Sequence, residues 1–316
     1  MIRHTRTTID ADVTPRFTAC YLRTAGQECA FIEAHTSHAL PRLLQALEAN
    51  GRHPEDVRWI VITHAHLDHA AGASALVAAC PNATLLAHPR AARHMVHPEK
   101  LVASATAVYG AERFRTLYGT ISPVPESRVK ALGDGDTFAL GDATMTAIHT
   151  AGHANHHLVV DDPVLDTVYT GDTFGLVYPA LQSRGRFAIP STSPTNFDAA
   201  LAKESLRKVL GLRRRTVAPT HFDGYEDASA IAAQLVRFID RAGAWVDDAS
   251  RGSETPSAMT ARFTKAWEDA IREEAPAFGP DEMKFLAFDI ELNAQGLAVV
   301  ADAKRKSARP AAPTEP

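Results

Sequence analysis

Four side chains able to ligate a metal fall within six residues, His64-Ala65-His66-Leu67-Asp68-His69, directly after the apolar, β-branched run Trp59-Ile60-Val61-Ile62-Thr63. The run reads as a buried strand and the Ala-rich stretch 70–79 as a helix, so the histidines occupy the connection between them. A chain with this segment has to fold so that imidazoles and a carboxylate converge at a strand's C-terminal end. In a tight turn His64 and His66, two apart, can reach one ion, while Asp68 and His69 face a neighbouring position. Two ions close together are therefore accommodated. Nitrogen and carboxylate donors without thiolate suit zinc best, and iron, manganese or cobalt fit the same set.

Three further residues of ligand type each end a strand-like run: His153 in Thr150-Ala151-Gly152-His153, Asp172 in Tyr169-Thr170-Gly171-Asp172, and His221 in Pro219-Thr220-His221. Glycine beside a ligand lets the backbone turn sharply and approach an ion, which is a physical reason for Gly152 and Gly171. Taken singly, His69, His153 and His221 read as capping or core histidines, and Asp172 as a turn or helix cap. Their joint occurrence in this order favours the ligand reading.

The ordered set HxHxDH, GH, GD and a final His resembles the metallo-β-lactamase superfamily of hydrolases, over roughly residues 15–248. The resemblance implies an α/β chain of the αββα sandwich class with metals at one edge between the sheets. It implies that His64, His66 and His153 hold a first metal, that Asp68, His69 and His221 hold a second, and that Asp172 bridges them. The expected cofactors are two divalent metal ions, zinc first, with iron or manganese as alternatives. Two such ions sharing a water lower its pKa from 15.7 towards ~7, so a bridging hydroxide serves as nucleophile without any Ser or Cys. Asp68 is expected to orient that hydroxide or accept its proton, making Asp68 and Asp172 the catalytic carboxylates.

Departures from known branches narrow the chemistry. True β-lactamases of the superfamily lack the bridging Asp, persulfide dioxygenases use one iron and fewer ligands, and flavodiiron-type proteins usually place Glu at the position of His66. Glyoxalase II-type thioesterases share all seven ligands, yet their basic C-terminal glutathione-binding pattern is not evident after Ser250. Quorum-quenching lactonases carry Tyr three residues after the bridging Asp, where this chain has Gly175; Tyr178 or Tyr109 is a candidate substitute. The nuclease branches add an inserted domain or basic arm, and neither is visible. The pattern is most similar to a broad bacterial branch with Gly-Asp-Thr-Phe-Gly at the bridging Asp. The expected activity is hydrolysis of a small ester, lactone or thioester. The alternatives are an iron redox or dioxygenase protein of the same fold and a phosphodiester hydrolase.

The Pro- and Ser-rich stretch 178–196 has no period and reads as a long ordered loop; the loop 173–196 follows Asp172 immediately, so it is expected to wall the pocket, with Phe174, Tyr178 and Phe187 making it partly apolar and Arg184 or Arg186 meeting an anionic group. Of the other histidines, His157 is expected to support the ligands or pack beside them, and His88 to cap or lie at the surface. Glu33 is a candidate support of the ligand set.

The reading divides the chain into a catalytic unit, 1–250, a helical appendage, 251–303, and a charged, Pro/Ala-rich tail, 304–316. In the appendage Met283, Leu286, Ile290, Ala294, Leu297 and Ala301 form a stripe at helical spacing. Packing onto the body of the same chain is preferred to binding a partner helix; a homodimer role and a role covering the pocket stay open. With 33 Lys+Arg against 37 Asp+Glu, net charge −4, no global field draws the chain to nucleic acid. No window approaches a membrane span, the N-terminus lacks the apolar core of a signal peptide, and Cys20, Cys29 and Cys80 form no disulfide or thiolate framework. A cytoplasmic protein acting on a small molecule is expected, without nucleic-acid or membrane partners.

Overall fold

The computed structural model describes residues 2–192, 196–226 and 228–308. Six strands make a first sheet: β1 (His4–Asp10), β2 (Ala19–Ala25), β3 (Glu28–Ile32), β4 (Val57–Val61), β5 (Thr84–Ala87) and β6 (Val129–Ala131), in that spatial order. β1, β2 and β3 run antiparallel, and β3 to β6 are parallel. The second sheet holds β7 (Thr137–Leu140), β8 (Ala143–His149), β9 (Leu158–Asp162), β10 (Thr167–Gly171) and β11 (Thr216–Pro219), antiparallel except for the β10–β11 pair.

Alternation along the strands assembles the layers. On the inner faces Tyr21, Ile32, Val61 and Leu86 of the first sheet meet Phe138, Met145, Val160 and Tyr169 of the second. The outward residues Leu22, Phe31, Ile60 and Leu85 bury against α1 (Leu40–Ala49), α3 (Ala73–Ala79) and α4 (Pro89–Val96), α2 being the short turn Leu67–Ala70. Beyond these lie α5 (Glu99–Tyr109) and α6 (Ala111–Tyr118). The second sheet turns Val159, Val168 and Val217 to α7 (Ala199–Gly211), α8 (Ala228–Arg251), α9 (Pro256–Glu274) and α10 (Pro280–Ala308). The result is an αββα sandwich with the C-terminal helices filling its last layer.

The division at residue 250 has no counterpart in the packing. Trp267 of α9 is fully buried, 5.7 Å from Phe238 of α8 at ring centroids, and Leu286, Ile290, Ala294, Leu297 and Ala301 of α10 belong to the same apolar cluster as Val168 and Val217. The expected tail begins too early, because α10 continues through Ala308; residues 309–316 of that tail lie outside the described residues. No helix among the described residues is long and apolar enough to cross a membrane. The three cysteines are free and buried, and burial pushes the thiols of Cys29 and Cys80 up to about 12.

Candidate metal centre

All seven expected ligands come together where the strands of both sheets end. β4 leads into the His64–His66 turn, and the chain then enters α2 carrying Asp68 and His69. The segment after β3 clasps this turn from behind: Ala34 N–H donates to His69 O at 3.0 Å, Gly72 N–H donates to His35 O at 2.8 Å, and His35 Nδ1 lies 2.8 Å from Asp68 O. His153 follows β8, Asp172 follows β10, and His221 follows β11.

His64 Nε2, His66 Nδ1 and His153 Nε2 lie 2.7, 3.0 and 3.2 Å from one another. Ligand atoms about 2.0–2.1 Å from a tetrahedral ion stand about 3.3 Å apart, so this triad matches one ion. Asp68 Oδ2 lies 3.3 Å from His221 Nε2 and 3.5 Å from His69 Nε2, forming a second set. Asp172 stands between the two sets. Its Oδ1 is 3.2 Å from His69 Nε2 and 3.6 Å from His221 Nε2, while its Oδ2 is 3.5 Å from His153 Nε2. His69 Nε2 and Asp172 Oδ1 are buried, yet neither has a hydrogen-bond partner among the described residues. Orphaned buried groups of this kind are costly, and a cation coordinated by both resolves them. The donor set thus fits two divalent ions of the zinc, iron or manganese type.

The backs of the imidazoles fix which nitrogen carries the proton. His69 Nδ1 lies 3.0 Å from Glu33 Oε1, His153 Nδ1 2.9 Å from Ser191 O, and His221 Nδ1 3.1 Å from Phe17 O. Each acceptor takes an N–H from Nδ1, so Nε2 is the ring atom turned to the site. Thr63 Oγ1 donates to Glu33 Oε1, so its lone pair accepts from His64 Nδ1 at 3.0 Å. Glu33 is fully buried and also accepts from Thr63 N–H at 3.3 Å and Thr220 Oγ1 at 3.1 Å. A third possible donor cluster, Glu33 with His64 and His69, is therefore already satisfied from within the protein.

Burial holds His64 and His66 well below the usual histidine range, which keeps them neutral and able to ligate. For His69 burial acts downward, but Asp172, Asp68 and Glu33 outweigh it and raise the imidazole well above that range. Burial alone would raise Asp172; His69, His221 and His153 outweigh it and hold the carboxyl well below the carboxylate range. His157, kept neutral by burial, accepts from Asp172 N–H at 3.2 Å through Nε2 and donates to Thr150 Oγ1 at 2.8 Å. Gly171 has φ +49°, and a Cβ there would lie 2.5 Å from Thr63 Oγ1 and 2.6 Å from His157 Nε2. At Gly152, φ +123°, a Cβ would meet the α7 backbone 2.2 Å away. These glycines make room for the groups that brace the ligands. His88 caps α4, accepting from Arg90 N–H at 3.0 Å.

The ligands open into a cavity of about 300 Å³ whose apolar walls include Phe17, Leu101, Tyr109, Tyr118, Leu176 and Phe288. Tyr178 lines it, its ring stacked on Phe17 at 4.7 Å and its hydroxyl donating to Asp289 Oδ1 at 3.4 Å. The other expected pocket residues lie elsewhere. Phe174 is fully buried against Tyr225, Phe187 packs 4.7 Å from Phe278, Arg184 is a surface residue 3.5 Å from Glu282, and Arg186 borders a separate hollow beside Arg16. The reason is the course of the loop: Leu176 pairs with Ile189, and Ala188 N–H donates to Gln234 of α8, so the loop lies against the C-terminal helices. Phe17, Tyr118, Phe288, Asp289 and Asn293 are pocket residues the sequence reading passed over. For the last three a signal exists, since 285, 288, 289, 292 and 293 form a second face of α10 at helical spacing.

A curated metallo-beta-lactamase fold-containing protein of Sulfurisphaera tokodaii is 28% identical over 166 residues, spanning 52% of this chain and only 59% of that relative. Among solved structures, an archaeal metallo-beta-lactamase superfamily protein from Sulfolobus tokodaii aligns with TM-score 0.66 at 21% identity, over 93% of this chain and 98% of that one. A metallo-beta-lactamase family protein from Thermus thermophilus aligns with TM-score 0.62 at 17% identity, over 96% and 94%. These structural likenesses show a shared fold. Residues 13–221, a span that ends on His221, match the metallo-beta-lactamase superfamily model, and the chain belongs to that superfamily.

Proposed function

We propose that this chain is a metal-dependent hydrolase of a small ester, lactone or thioester. Superfamily membership and the histidine-rich centre support a metal-dependent hydrolase in general. The observation that carries the reading is Asp172, with one carboxylate oxygen facing each ligand set and the inner one orphaned beside His69 Nε2. Divalent ions, held by His64, His66 and His153 on one side and by Asp68, His69 and His221 on the other with Asp172 between, would supply Lewis acidity and lower the pKa of a water. Asp68, its side chain 42% exposed and beside His221, faces the cavity, where it can orient that water and take up its proton. The apolar walls exclude bulk water and receive the hydrophobic part of a substrate.

The test is metal content by plasma mass spectrometry on protein purified without added metal, with turnover of a panel of lactones, thioesters and phosphodiesters. About two zinc per chain with turnover of one ester class is expected. One iron, or two iron with a redox-active spectrum and no hydrolysis, overturns the reading. Asp172→Ala should abolish turnover; unchanged activity at full metal loading counts equally against it.

A further inference from the structure

The C-terminal helix α10 presents Phe288, Asp289, Leu292 and Asn293 to the cavity. Asp289 is 8% exposed; its Oδ1 accepts from Tyr178, and its Oδ2 is buried with no hydrogen-bond partner among the described residues. Asn293, its neighbour one turn on, is fully engaged: Oδ1 accepts from Thr192 N–H at 2.7 Å and Nδ2 donates to Pro190 O at 2.9 Å. Asp289 is thus the group on this wall that lacks a donor, and leaving a buried carboxylate oxygen unmet is costly.

The charge of the cavity points the same way. Among the described residues no Arg or Lys lines it, and its carboxyls are Asp68, Asp172 and Asp289. The first two belong to the ligand set, so only Asp289 is free to face a ligand. Tyr178 spans the distance between them, its ring 5.9 Å from that of His221 and its hydroxyl on Asp289. A group meeting Asp289 therefore sits a few bonds from a carbonyl held at the ligand cluster.

We propose that Asp289 is a specificity-determining residue that accepts a hydrogen bond from an ammonium or hydroxyl group of the substrate, so that the cavity selects neutral-to-cationic acyl compounds and rejects those carrying a carboxylate or phosphate at that position. The proposal rests on the hydrolase reading and names its substrate class.

The test measures binding to the zinc-loaded protein by titration calorimetry with three uncleaved ligands of matched size: γ-aminobutyranilide (cationic), butyranilide (neutral) and succinanilate (anionic). The cationic ligand is expected to bind about 10- to 100-fold tighter than the neutral one, and the anionic one most weakly. Asp289→Asn should remove the cationic advantage and leave butyranilide within about threefold. Any result in which the ammonium ligand is not the tightest, or in which Asp289→Asn weakens all three alike, overturns the proposal. The wild-type ranking needs no variant, so it decides the matter even if Asp289→Asn folds poorly. A silent ester panel with the ranking intact refutes the hydrolase reading alone; ester turnover with three equal affinities refutes this proposal alone.

Discussion

Replacing Glu33 by Gln tests whether the second ion is held as much from behind as from in front. Glu33 Oε1 accepts from Thr63 Oγ1, Thr220 Oγ1 and His69 Nδ1, and Oε2 accepts from Thr63 N–H. Gln keeps the shape but loses the charge, and its amide nitrogen turns a donor onto a donor at Thr63 N–H. Hydrogen bonds to charged groups contribute about 1.5–3 kcal/mol and neutral ones about 1, so the His69 contact alone weakens by about 0.5–2 kcal/mol. That is roughly a 2- to 30-fold loss of affinity, overlapping the ~10- to 100-fold seen when a metal ligand's supporting group is mutated. The loss should fall on the set built from Asp68, His69 and His221. Zinc titration of metal-free protein should give two classes of site in the wild type, with only one class weakened in Glu33→Gln; His69→Ala, assayed alongside, identifies which. An unchanged zinc isotherm at unchanged thermal stability would show that the Glu33 bonds do not set His69.

Further expectations concern stability. Gly171→Ala combines a left-handed residue, about 1–2 kcal/mol, with a Cβ 2.5 Å from Thr63 Oγ1, about 1–3 kcal/mol more. Calorimetry should show Tm lowered by roughly 3–8 °C, and a shift under about 1 °C would refute the crowding argument. Burial raises the Asp289 carboxyl from its ordinary 3.8 to about 7, so its proton stabilises the fold fully below pH 3.8 and that stabilisation is lost as pH rises to about 7. The gap corresponds to about 4 kcal/mol at most, so in metal-free protein the Tm of Asp289→Asn should gain on wild type between about pH 4 and about pH 7; a constant difference contradicts this. Arg23 and Asp162 form a fully buried pair at 2.5 Å. Arg23→Met alone should cost about 3–5 kcal/mol in denaturant unfolding, while Arg23→Met with Asp162→Leu should recover most of it; equal losses would refute the uncompensated-charge explanation.

The ligand cluster is legible because its residue types are dense, ordered and placed after strand-like runs. His64 to His69 need only the apolar run before them, and Asp198 caps α7 where Phe197-Asp198 suggests a helix start. What escapes the sequence is set by distant contacts. The stretch 70–79 reads as one Ala-rich helix, yet it breaks between α2 and α3 because Gly72 N–H is taken by His35 O. β1, His-Thr-Arg-Thr-Thr-Ile-Asp, lacks apolar alternation because it is an edge strand with mostly half-buried side chains. Arg184 and Arg186 are of a type suited to an anionic ligand, but spacing along a loop does not say which way the loop leans. Asp289 resembles an ordinary solvated helix acid; only the packing of α10 over the cavity gives it a role.

The clasp of Asn293 on residues 190–192 bears on when the protein becomes competent during its synthesis. Asn293 fixes the backbone beside Ser191, and Ser191 O orients His153. A nascent chain that has just passed His221 already contains every ligand, but the brace for one of them is still some seventy residues from being made. Through Asn293, α10 thus contributes to the alignment of a triad whose three members all precede it in the chain by seventy residues or more.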